Sequence, residues 1–161
     1  MSWLFLIVLW IHALTAVFFI GGSFFIWMVV WPVSYKITSD EKERTRIVGM
    51  IGRLFGRLTD LSVIILIITG VYLGLGYVPN FSDLTTTPGG QLLLAKSILV
   101  VIMLVLMYAN NLYHGKLIMR LVAEDKLDQA KIIRKRTHIA SFITLGLILV
   151  IAAIAFALPF Y

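Results

Sequence analysis

The chain has 161 residues, is 60% hydrophobic and 14% charged, and has a mean hydropathy of +0.98. A soluble domain carries about 25% charged residues, so a water-soluble fold is excluded, and disorder with it. Cysteine is absent, which removes disulfides, thiolate zinc sites, iron–sulfur clusters and cysteine nucleophiles, and in a membrane chain the net charge of +6 reports orientation rather than a nucleic-acid partner.

Residues 1–35 carry no charge. About 20 apolar residues cross a bilayer core of about 30 Å, so this run spans with tilt. It does not read as a secretory signal, because no basic residue precedes it and no small-residue cleavage site follows a short core. Further charge-free runs cover residues 61–82, 97–115 and 137–161. These runs predict four helices at about 3–33, 45–77, 91–121 and 128–159. The expected fold is all-α, one integral membrane four-helix bundle over 1–161. Open strands are excluded because backbone groups in lipid must be satisfied internally. The connections fit. Residues 34–44 are polar and of mixed charge, and 78–90 hold Pro79, Asn80 and Pro88, which is turn chemistry. Residues 122–127 hold Glu124, Asp125 and Lys126. Of 14 basic residues, all except Lys96 lie on or near the first and third connections. Basic residues stay cytoplasmic, so both termini are expected outside. The cluster Arg134, Lys135 and Arg136 reads first as this topological signal, with an anionic-lipid site as the alternative.

Ionisable groups at membrane depth are expensive and mark functional candidates. Counting along the helices at about 1.5 Å per residue gives two sets. The outer set is His12 and Lys96. The inner set is Arg53, Arg57, Asp60, His114 and His138. Arg53, Arg57 and Asp60, spaced four and then three apart, share one helical face.

Imidazole is a common ligand for haem iron and other transition metals. Aromatic walls are plentiful, Trp10, Phe18, Phe19 and Phe25 among them. A haem held by His114 and His138, with Arg53 and Arg57 on its propionates, is a reasonable arrangement, and so is a site at His12. Plainer readings stand beside these. Interfacial histidines are often only solvated, Lys96 can snorkel to the headgroups, and Arg57 with Asp60 can be a structural ion pair. Gly52-x-x-x-Gly56 and Gly70-x-x-x-Gly74 read as close-packing surfaces.

The first helix runs His12-Ala-Leu-Thr-Ala-Val-Phe-Phe-Ile-Gly21-Gly22 and then Trp31-Pro32. This resembles the opening helix of the CopD-like (copper resistance protein D) membrane family, with Phe19 at a position usually held by Trp. Arg53 to Thr69-Gly70 resembles the second helix, Leu94-Ala95-Lys96 the start of the third, and Arg136 the start of the fourth. The layout is also similar to the HemJ-type protoporphyrinogen oxidases, four-helix proteins that bind haem b. That resemblance implies His12 and Lys96 as axial ligands to haem iron. The HemJ-type first helix has a single glycine and continues Leu-Pro-Arg, whereas this chain has Gly21-Gly22 and Trp31-Pro32-Val33.

The leading expectation is therefore a protein of a prokaryotic plasma membrane that binds haem b, one or two per chain, and transfers electrons. It would act alone or with other subunits of a membrane redox complex, with the lipid bilayer as surroundings and no nucleic acid. The alternatives are an oxidase of a porphyrinogen or quinol-like substrate, a cofactor-free accessory subunit, and a copper-handling protein. The last is disfavoured because Cu(I) prefers thiolate and thioether ligands. Of the six methionines only Met103 and Met107 stand four apart on one helix.

Overall fold

The computed structural model describes residues 2–78 and 80–160; Met1, Tyr161 and Pro79 of the second connection lie outside the described residues. These are predominantly helical, with no strand among them. The elements are α1 (Trp3–Phe25), a π-helical turn (Ile26–Val30), α2 (Trp31–Ile37), α3 (Glu41–Tyr77), α4 (Asp83–Thr86), α5 (Pro88–Ala109), a second π-helical turn (Asn110–His114), α6 (Gly115–Ala123) and α7 (Leu127–Ala157), closed by a 3-10 turn (Leu158–Phe160). Four continuous helical stretches, Trp3–Ile37, Glu41–Tyr77, Pro88–Ala123 and Leu127–Phe160, are long and apolar enough to cross a membrane.

The spans fall where charge-free sequence places them, but their ends run further. The first helix continues past Pro32 to Ile37. A proline has no N–H for the i−4 carbonyl and crowds it. The wider π turn immediately before it is where the ladder changes register, with Trp31 N–H reaching back to Ile26 O. The second stretch starts at Glu41 rather than 45, because Asp40 caps it, accepting from Lys42 N–H at 2.9 Å. Thr87 caps α5 by accepting from Gly90 N–H at 3.1 Å, and Pro88 fills the first helical position, where its missing donor costs nothing.

The chain divides into two compact units, Met1–Phe81 and Ser82–Tyr161. In the first, α1 and α3 pack as an antiparallel pair around buried Phe19 and Val63. Rings set against glycines fix the register. Phe5 lies on Gly76, His12 on Gly70 and Phe55 on Gly22, where an added Cβ would fall 3.2, 3.3 and 2.5 Å from the ring. In the second unit, α5, the π turn and α6 pack on α7. Where α6 turns into α7 is a helical hairpin whose core is Leu121, Val122 and fully buried Ala130, backed by Leu117, Leu127 and Ile133. Its turn uses Asp125 at φ 60°, the left-handed region that Asp tolerates.

Candidate functional site

His12 sits on α1, about 14 Å along the helix from Trp3. It is half-buried. Its Nδ1 lies 2.7 Å from Thr69 Oγ1 on α3. Thr69 is itself buried, and its hydroxyl donates to Ile65 O at 2.6 Å. A hydroxyl has one hydrogen, and a carbonyl can only accept. With the Thr69 hydrogen on Ile65 O, His12 donates through Nδ1–H, and a neutral ring then carries its lone pair on Nε2. Metal-bound histidines are oriented in this way, with the second ring N–H donated to a fixed acceptor. The ring edge also lies against Gly70, where a Cβ would come within 3.3 Å of Cε1. Thr69-Gly70 is thus the seat of the His12 ring. An open groove of about 310 Å³ begins about one turn further along the same helix pair, lined by Thr15, Phe18, Ser62 and Ile65 among others.

The remaining candidates are distributed as follows. Arg53, Arg57 and Asp60 lie exposed on α3 in the first unit. Arg57 is about 18 Å along α3 from Thr69, the partner of His12. The expected Arg57–Asp60 ion pair is not formed: among the described residues neither Arg53 nor Arg57 has a hydrogen bond or ion pair. Gly52 and Gly56 have open space where a Cβ would go, so this pair does not pack closely here, in contrast to Gly70.

Lys96 belongs to the second unit, about 12 Å along α5 from Pro88. It is half-buried and makes no hydrogen bond or ion pair among the described residues. His114 and His138 are in the same unit and are both half-buried. His114 ends the second π turn. Its Nδ1 lies 2.8 Å from Asn110 Oδ1, an acceptor, so Nδ1–H donates there. Asn110 is buried, and its amide N–H₂ donates across to α7, to Thr137 O at 3.3 Å and Ser141 Oγ at 3.1 Å. A π-helical turn carrying a polar hub is a common functional device. His138 follows Thr137 on α7.

Thr69 and Asn110 are the site residues that sequence reasoning did not assign. The signal for Asn110 was present, since an Asn-Asn pair interrupts an otherwise apolar run. Many of the aromatics expected as walls point outward instead: Trp10, Phe18 and Phe25 are exposed, and Phe19 alone of those four is buried. Among the described residues no three His, Cys, Asp or Glu side chains converge on a point that could hold a metal ion.

Four apolar spans, with no strand among the described residues, define an all-α integral membrane protein, with a lipid bilayer as its surroundings. A family model described as copper resistance protein D (CopD) matches residues 49–158, about two thirds of the chain, and the chain belongs to that family. The matched segment contains Thr69, Gly70, Lys96, Asn110, His114 and His138; His12 precedes it. No curated protein and no solved structure matches the chain.

Proposed function

We propose that this protein binds haem b within the membrane and carries electrons, and that His12 would hold the haem iron through Nε2. The observation that carries this reading is the His12–Thr69–Ile65 chain of hydrogen bonds, which orients an imidazole on an apolar helix long enough to cross a membrane. The donor chemistry fits haem better than a bare ion. A protein-only site needs three or four converging ligands. Haem brings its own four nitrogens and asks the protein for one or two axial groups. Bound haem would supply a one-electron couple. This chain's part would be to orient the His12 ring through Thr69 and to leave room for it at Gly70. Lys96 is a candidate ligand only through the resemblance to HemJ-type proteins. His114, with its Nδ1–H held by Asn110, is the candidate for a second haem, with His138 beside it in the sequence-based reading.

The family's description supports a second reading, copper handling. Neutral imidazole also suits copper, and His12 and His114 would be its first contacts. One preparation tests both. The protein is purified from haem-supplied cells, its reduced-minus-oxidised spectrum is recorded, haem is counted by pyridine extraction, and copper is counted by mass spectrometry. A b-type spectrum at one or two haems per chain supports the haem reading. A colourless protein overturns it, and stoichiometric copper in that sample favours the second.

A further inference from the structure

Arg53 and Arg57 are exposed and have no protein partner among the described residues. At about 100° per residue, they share a sector of α3 about 80° wide with Leu61, Ile64 and Ile68. Those three are 55%, 55% and 65% exposed. One straight face therefore reads as two arginines followed by a strip of aliphatic side chains. Ile64 and Ile68 lie about 10 and 16 Å along the helix from Arg57. One leaflet of the hydrocarbon core is about 15 Å deep, half of about 30 Å. Charge and spacing together match an amphiphile lying along the helix, with an anionic head and an acyl chain of one leaflet's length. Asp60 sits at the edge of the same face and limits how much negative charge the head can bring beyond Arg57.

We infer that this face of α3 binds an anionic phospholipid, its phosphate between Arg53 and Arg57 and its acyl chain along Leu61, Ile64 and Ile68. Guanidinium groups match phosphate geometry bidentately. A free phosphate would use the arginines but not the aliphatic strip, and haem propionates would tie these residues to the cofactor instead. The inference does not depend on haem binding.

The test uses the full chain in phosphatidylcholine vesicles, with spin-labelled phosphatidylglycerol or spin-labelled phosphatidylcholine as the probe. The readout is the motionally restricted fraction of each label. The wild type is expected to favour phosphatidylglycerol by up to about thirtyfold, given two cations near the surface. R53Q/R57Q is expected to fall to parity between the two lipids. R53K/R57K keeps both charges and should retain most of the preference, which separates lost charge from lost folding. K135Q/R136Q, which alters exposed cations of α7, should keep it as well. An unchanged preference in R53Q/R57Q overturns the inference. So does displacement of the lipid by millimolar inorganic phosphate, or loss of haem in R53Q/R57Q with the lipid preference intact.

Discussion

Thr69→Val removes one hydroxyl and keeps the side chain's shape. In the native protein that hydroxyl accepts from His12 Nδ1–H at 2.7 Å and donates to Ile65 O at 2.6 Å. Ile65 O lies one turn below Thr69 in a regular α-helix, so it keeps a backbone partner and is not orphaned. The structural loss is thus one interhelical hydrogen bond in the membrane, which averages about 0.6 kcal/mol. The functional loss is larger. Without that acceptor, the His12 ring loses the hydrogen bond that orients it and that keeps the proton on Nδ1 rather than on Nε2, the nitrogen assigned to iron. Removing an outer-shell partner of a ligating histidine costs about 10–100-fold in metal affinity or activity. Thr69→Val should therefore lower haem affinity by about that factor while unfolding in detergent shifts only slightly. Thr69→Ser, which restores the hydroxyl, should recover most of the affinity. The assay is titration of apo-protein with haem, followed by the difference spectrum, beside an unfolding curve in a denaturing detergent. Wild-type haem affinity in Thr69→Val would refute the tautomer argument. A large stability loss with equal haem affinity would make Thr69 a packing residue only.

Further expectations come from other parts of the chain. Ala130 has no exposed surface in the α6–α7 hairpin, so Ala130→Leu should destabilise by about 1–3 kcal/mol through overpacking, read as faster proteolysis between residues 115 and 136. Lys126 Nζ and Arg120 Nε, each 2.7 Å from the Glu124 carboxylate, hold that carboxyl down to about 2 from 4.5. The sign follows: the clip is fully present above about pH 4.5 and is lost as pH falls through about 2, so the carboxylate infrared band of Glu124, assigned with Glu124→Gln, should persist at pH 4. A band already lost at pH 4 would mean that the clip does not form. Lys96→Met should shift the haem spectrum if Lys96 is a ligand, whereas an unaltered spectrum would favour snorkelling to the headgroups. The distribution of basic residues predicts both termini outside; reporter fusions at residue 161 that are active only in the cytoplasm would contradict it.

The four spans were legible because a charge-free run of about 20 residues matches the thickness of a bilayer core and little else in a chain this apolar. Their ends were less legible. Lipid stops where the charges begin, but a helix need not, and Asp40 and Thr87 set the starts of α3 and α5 through caps that hydropathy does not register. His12 stood out as the one ionisable group at membrane depth in the first charge-free run. Thr69 did not, since hydroxyls are common in membrane helices and its partner is 57 residues away. Asn110 carries no charge and so does not stand out among ionisable groups, although a buried amide must find partners just as a charge must. The α3 face with Arg53, Arg57, Ile64 and Ile68 was present in the sequence as a helical period, but which side of the helix stays open is a fact of packing.

The central claim is that His12 holds haem, and the most direct measurement compares the wild type with His12→Ala, both purified from haem-supplied cells, by reduced-minus-oxidised spectrum and pyridine haem count. The account predicts a b-type spectrum in the wild type, with one haem fewer per chain in His12→Ala while the variant still inserts in the membrane. Equal haem content and an identical spectrum in the two proteins would contradict it.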